Sequence, residues 1–185
     1  MEHRIMIVGY SGSGKSTLAK KLGGRLSCEV MHLDCVHWLP GWIERDRAER
    51  NRMITQFLDT NRSWVIDGTY QSACLKRRLE EATQIIFLDF PRGICLFRVM
   101  RRYVQYRGKS RESMTTGCEE RISGEFFWWV LYRGRDKAHR QQFQKICTEY
   151  APKVVVLRNP KEVRQFERRF ESDGKAANDE RPHGP

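Results

Sequence analysis

Gly9-Tyr10-Ser11-Gly12-Ser13-Gly14-Lys15-Ser16-Thr17 satisfies the pattern G-x-x-x-x-G-K-[ST] at every fixed position. These residue types, at this spacing, can hold a polyphosphate. Gly9, Gly12 and Gly14 let a loop adopt backbone angles that turn several N–H groups inward. A helix beginning at Lys15 would add unpaired N–H groups and the positive end of its dipole. Lys15 can reach β- and γ-phosphates, and the Ser16 hydroxyl is placed to ligate magnesium. The nucleotide-binding set is thus Gly9, Ser11, Gly12, Ser13, Gly14, Lys15, Ser16 and Thr17, with ATP and magnesium as the expected cofactors.

Three acids stand at the ends of apolar runs: Asp34, Asp67 and Asp89. Asp67 is where such a protein places a carboxylate near the magnesium shell, making Ser16 and Asp67 the expected metal ligands. Asp34 can hold an acceptor hydroxyl or a metal-bound water. Each acid could instead cap the turn that follows it. His32, Asp34, Cys35 and His37 are all able to bind zinc, but their spacing matches no zinc pattern.

Arginines are concentrated after residue 97: Arg98, Arg101, Arg102, Arg107, Arg111, Arg121, Arg133, Arg135 and Arg140. Planar guanidinium groups suit the charge that spreads over a moving phosphoryl group. Arg98 and Arg102 are four apart, hence on one helix face. With Lys15, Asp34 and Arg107 they complete the catalytic candidates. Trp38 and Trp42 flank a turn and could stack on an acceptor or anchor packing. Trp128 and Trp129 fall in an apolar stretch and are expected in the core.

The elements that position these residues alternate. Strands are expected at Arg4–Val8, Glu29–Leu33, Trp64–Ile66, Gln84–Leu88 and Val154–Leu157, each a short apolar run. Helices are expected from Lys15 to Arg25, Asp46 to Thr60, Ala73 to Ala82, from Pro91 with a Leu96, Val99, Met100 and Tyr103 stripe, and over Glu125–Tyr132 and on to Tyr150. A last helix starts with Asn159 as N-cap, Pro160 and Glu162. Cys35 to Trp42 reads as a loop turning at Pro40-Gly41. Residues 108–124 are polar and aperiodic, a mobile loop. The fold class is α/β: a three-layer arrangement with a five-stranded parallel sheet, helices on both faces and a lid at about 107–124. Ligands in such sheets sit at the carboxyl ends of the strands. Residues 1–170 form one domain, and 171–185 read as a disordered tail.

The 185 residues carry a formal charge of +11, and the acidic tail contributes −2, leaving +13 on the body. That excess suits polyanions, whether a nucleotide or a nucleic-acid backbone. The six cysteines are scattered without a C-x-x-C pair, the usage of a reduced cytoplasmic protein. No apolar run of membrane-spanning length occurs, and no signal peptide is read.

The whole pattern resembles the adenylate-kinase-like P-loop kinases, and more closely the DNA topology modulation proteins (FlaR-related). The resemblance rests on Gly9–Thr17, His32-Leu33-Asp34 with Trp38-x-Pro40-Gly41-Trp42, Trp64–Tyr70, Ile85–Arg92, Tyr106-Arg107-Gly108-Lys109 and Val154–Leu157. It implies the same five-stranded sheet with a lid and an acceptor-binding region. Nucleoside monophosphate kinases follow the strand-end Asp-Gly with Phe-Pro-Arg. Here Thr69-Tyr70-Gln71 follows Asp67-Gly68, so the arginine that would grip an acceptor phosphate is absent. Asp34 looks like the hydroxyl-gripping acid of shikimate- and gluconate-type kinases. The expected activity is transfer of phosphate from ATP to an unidentified small molecule. The rivals are a nucleic-acid-binding NTPase and a nucleotide-binding regulator without transfer. No helicase acid box, N-K-x-D guanine signature or transporter signature is found.

Overall fold

Uninterrupted apolar runs such as Ile5-Met6-Ile7-Val8 and Ile85-Ile86-Phe87-Leu88 are buried along their whole length, as strands covered on both faces must be. The computed structural model describes residues 2–120 and 123–179. In chain order its elements are β1 (Arg4–Gly9), α1 (Lys15–Leu26), β2 (Glu29–His32), α2 (Leu33–His37), β3 (Trp38–Leu39), β4 (Ile43–Glu44) and α3 (Arg47–Thr60). There follow β5 (Trp64–Asp67), α4 (Leu75–Glu81), β6 (Gln84–Leu88), α5 (Arg92–Tyr106), α6 (Gly124–Leu131), α7 (Lys137–Glu149), β7 (Val154–Leu157) and α8 (Pro160–Asp179).

The main sheet runs β2-β5-β1-β6-β7 with every pairing parallel. The chain leaves the central β1 toward one edge, returns through β5, then continues to the other edge. The carboxyl end of β1 is therefore a topological switch point, where such sheets open a crevice. The register sets Asp67 opposite Ile7 on one side and His32 on the other.

Local signals account for most boundaries. Asp46 caps α3 by accepting from the amides of Ala48 and Glu49. Asn159 caps α8, accepting from the amides of Lys161 and Glu162, while Glu162 reaches back to the Arg158 amide. The stretch read as a loop after Asp34 is the five-residue α2 followed by a small antiparallel hairpin, β3 with β4, turning at Pro40-Gly41. Five residues are too few to show helical periodicity. Helix α8 continues to Asp179, past the boundary near 170. Its last part has no large apolar residue, and no proline interrupts the helix there. Residues 180–185 of the expected tail lie outside the described residues. All six cysteines are free, and none of the described helices is long and apolar enough to cross a membrane.

One buried cation shapes the site. Arg78 of α4 is fully buried and donates to the carbonyls of Ala73, Gly68 and Tyr70 at 2.7, 3.3 and 2.9 Å. It ties down the turn that follows β5. Burial pulls its pKa down to about 10, which leaves it charged at neutral pH. Replacing it with Leu strands three carbonyls. Arg78→Leu is expected to lower the unfolding free energy by about 2–4 kcal/mol. A urea transition at the wild-type midpoint would refute this role.

Candidate active site

The segment joining β1 to α1 is a loop that only glycine can close. Gly9 and Gly12 have φ of 145° and 78°. A Cβ at Gly12 would lie 2.4 Å from the Cys95 carbonyl oxygen, and one at Gly9 would lie 2.6 Å from that of Leu88. The loop thus packs against the backbone of α5 and β6, leaving no room for side chains. Ser13 is buried with its hydroxyl lacking a hydrogen-bond partner. Lys15 Nζ donates to the carbonyls of Gly9 and Tyr10, both at 2.9 Å. Burial holds its pKa below the usual lysine value, opposed by the nearby carboxylates of Asp34 and Asp67. An orphaned hydroxyl, a half-buried ammonium and the first amides of α1 form a cradle suited to phosphate oxygens.

Two carboxylates face this cradle. Ser16 Oγ donates to Asp67 Oδ2 at 2.7 Å, and His32 Nδ1 meets Asp67 Oδ1 at 2.5 Å. Asp67 is buried, so both its oxygens are engaged. The hydroxyl and carboxylate pair is an all-oxygen donor set, which fits magnesium held jointly with substrate phosphates. Asp34 stands in the first turn of α2, and the Tyr70 hydroxyl donates to its Oδ1 at 2.7 Å. Burial and the adjacent Asp34 push the Tyr70 phenol well above its usual range, so it stays a donor. Behind Tyr70, the His37 ring stacks at 4.3 Å, and buried Arg50 donates to His37 Nδ1 at 2.5 Å. The four residues with zinc-binding side chains are thus divided: His32 serves Asp67, whereas His37 serves Arg50 and Tyr70.

The arginines take separate places. Arg98 donates to the Ser13 carbonyl at 2.6 Å with its guanidinium 4.6 Å over the Phe90 ring. Arg102 and Arg111 both bind Glu120, at 2.6 and 2.8 Å. Arg107 is exposed and does not line the cleft; Arg111 stands there instead. Arg107 is the C-cap of α5, and its backbone bridges to Glu120.

The lid segment, read as a mobile loop, is docked. Thr115 Oγ1 donates to the Trp38 carbonyl at 2.5 Å, Trp42 Nε1 donates to the Glu119 carbonyl at 3.1 Å, and the Gly41 amide donates to the Gly117 carbonyl at 3.0 Å. Met114 and Cys118 of the lid are buried. Residues 121 and 122 of the lid lie outside the described residues. Together these elements enclose a cleft of about 1460 Å³ lined by the phosphate loop, Asp34, Asp67, Arg98, Arg102 and Arg111.

Asp89 does not join this site. It pairs at 3.9 Å with Arg158 and lies outside the cleft lining. Trp128 and Trp129 are 55% and 41% exposed, not core. Helix α6 buries Val130 and turns both tryptophans outward, with Trp129 at the cleft wall. Sequence reasoning did not single out Tyr70 or Glu120. Tyr70 stands two residues after Asp67-Gly68, a signal that its position just past a strand end could have supplied. Glu120 carried no such signal, because its partners become neighbours only when the lid folds.

The chain is 30% identical to the uncharacterized protein YqaC of Bacillus subtilis (strain 168) over 136 residues, covering 70% of this chain and 72% of YqaC. The chain belongs to the YqaC family. No described family profile matches it. Among solved structures, a gluconokinase from Sinorhizobium meliloti 1021 superposes with a TM-score of 0.51 at 15% identity, over 95% of this chain and 93% of the other. That likeness establishes the shared α/β fold of this YqaC relative. A shikimate kinase from Bacteroides thetaiotaomicron gives 0.48 at 16% identity, over 94% and 98%. At that level the similarity carries no weight.

The His37 contacts set a pH dependence. Burial and then Arg50 lower its pKa from the ordinary 6.5, so the folded protein keeps the ring neutral. The unfolded chain takes up the proton first as pH falls. His37 therefore contributes no penalty above about 6.5 and costs stability below it, until the lowered folded pKa is passed. Wild-type melting temperature should fall more between pH 7 and 5.5 than that of His37→Gln. Parallel profiles for the two proteins would count against this reading.

Proposed function

We propose that the chain is a magnesium- and ATP-dependent phosphotransferase that phosphorylates a hydroxyl group of a small molecule. The observation that carries this reading is the meeting of the Ser16–Asp67 pair, Lys15 and Asp34 at the carboxyl end of one parallel sheet, facing one cleft. The fold shared with gluconokinase supports it. The resemblance to topology modulation proteins belongs to the same reading, with any effect on DNA indirect.

The residues take distinct roles. Loop amides and Lys15 bind the phosphates, and Ser16 with Asp67 would hold magnesium. Magnesium held there would supply positive charge to offset the negative charge that develops in transfer. Asp34, kept in place by Tyr70, orients the acceptor hydroxyl and takes its proton as the new oxygen–phosphorus bond forms. The γ-phosphorus then parts from the β-bridging oxygen, which leaves on ADP. Arg98, Arg102 and Arg111 line the cleft and would offset charge on the moving group. The docked lid covers one side of the cleft and would limit water as a competing acceptor.

The test is ADP release from magnesium-ATP across nucleosides, nucleoside monophosphates, sugars, sugar acids and duplex DNA. One small molecule should stimulate release. Lys15→Ala should reduce turnover by about a thousandfold, and Asp34→Asn by about a hundredfold with little change in KM for ATP. Stimulation by DNA alone, lost with the lysine, would instead establish a nucleic-acid-dependent NTPase. Full turnover in Lys15→Ala would remove the assignment.

A further inference from the structure

The acceptor end of the cleft has an unusual charge balance. Asp34 supplies a carboxylate, and the flat walls are Trp38, Trp42 and Tyr70, with Met114 below. The Trp38 and Trp42 rings meet at 5.6 Å and 66°, forming a corner. Two of the cations that line the cleft, Arg102 and Arg111, are engaged. Arg102 places Nε and Nη2 on Glu120 Oε1, each at 2.6 Å, and Arg111 places Nε on Oε2 at 2.8 Å. Glu120 is buried, its side chain 4% exposed, so neither bond is a rim contact. Arg111 spends a further donor on Ser113 at 3.3 Å. At the rim, Lys20 pairs with Glu112. Arg101 is exposed and stands one helical turn from Arg98, whose guanidinium sits on the phosphate loop. The turn after β5, pinned by Arg78, presents Thr69, Tyr70 and Gln71 and no cation.

On the proposed phosphotransfer reading, we infer that the acceptor is an uncharged, ring-bearing alcohol, of which a nucleoside is the fitting representative, and that Glu120 is the residue that excludes anionic acceptors. An acceptor carrying phosphate or carboxylate would enter beside Asp34, find both guanidinium groups committed to Glu120, and lose its hydration without compensation. A neutral ring loses little hydration and gains contact with the tryptophan corner. Its free hydroxyl is the one group that needs a polar partner, and Asp34 is that partner.

The experiment uses the full chain with its nucleotide site saturated by magnesium-ADP, and follows tryptophan fluorescence and calorimetry. Pairs differing in charge are titrated: thymidine against thymidine monophosphate, and a methyl glucoside against glucuronate. The neutral member of at least one pair should bind about tenfold or more tightly than its charged counterpart. Charged members binding as tightly or better, or no neutral member binding, overturns the inference. Glu120→Gln, checked for wild-type melting, should narrow that ratio by about tenfold in favour of the charged member; an unchanged ratio removes Glu120 from the role. Should Glu120→Gln fail to fold, Trp38→Ala decides. It should weaken the neutral ligand by about tenfold without altering magnesium-ADP affinity, and wild-type affinity for that ligand would overturn the inference. The two readings fail separately. Neutral alcohols that bind but never receive phosphate sink the phosphotransfer, whereas transfer to an anionic acceptor sinks the acceptor class alone.

Discussion

The Asp67 carboxylate joins three elements that would otherwise meet only through apolar contact. It ends β5, accepts from Ser16 at the start of α1, and meets His32 across the register of β2. Burying a carboxylate is costly unless both oxygens are satisfied. Here they are, and the cost becomes a constraint. Helix α1 cannot shift along the sheet without breaking one bond, nor β2 slip by a residue without breaking the other. The next residue extends the constraint. Gly68 has φ of 124°, and a Cβ there would lie 2.8 Å from that of Leu33. Helix α2 therefore begins against the backbone of residue 68, which sets Asp34 beside the phosphate loop. Two residues further on, Tyr70 supplies the hydrogen bond that aims Asp34. Phosphate side and acceptor side are positioned from one strand end.

The lid works on both sides as well. Its Glu120 gathers Arg102 from α5 and Arg111 from the lid itself, while Thr115, Gly117 and Glu119 bind the hairpin carrying Trp38 and Trp42. A displacement of this segment would move the arginines and the tryptophan corner together. An acceptor that fits the corner therefore favours the arrangement in which the guanidinium groups face the phosphates. Such coupling needs no further signal, only a shared rigid strap.

How far this was legible in the sequence follows from the range of the forces involved. The five strands were readable because a parallel sheet buries both faces and each strand is a plain apolar run. The phosphate loop was readable because its backbone dictates glycine at fixed spacing. The start of α8 was readable from its Asn159 and Glu162 cap. Other features depend on tertiary contacts. The apolar run Phe126-Phe127-Trp128-Trp129-Val130 promised a core helix. Lying over α5 at the cleft, α6 buries Val130 and leaves both tryptophans outside. Arg107 sat plausibly in the lid, but the lid's path turned Arg111 inward instead. Asp89 ends its strand as Asp67 does. Its partner is Arg158, beyond the neighbouring β7, and it lies outside the cleft lining.

The strong basic excess also reads differently once the arginines are placed. Arg50, Arg78 and Arg135 are buried, bonded to His37 and Ser72, to three carbonyls, and to the Phe90 carbonyl with the Tyr10 ring 3.7 Å beneath. Arg102 and Arg111 are bound to a buried carboxylate. These cations brace loops around the cleft, and they are not offered to a polyanion outside. Counterion release on a nucleic acid requires phosphates neutralised by accessible Lys and Arg, so a residue count overstates that affinity. A guanidinium suits the bracing role because it presents five donors in a fixed planar fork and can satisfy several carbonyls at once. The composition that resembles a nucleic-acid binder is, at these five positions, the means by which a glycine-rich loop and a folded lid are held in register.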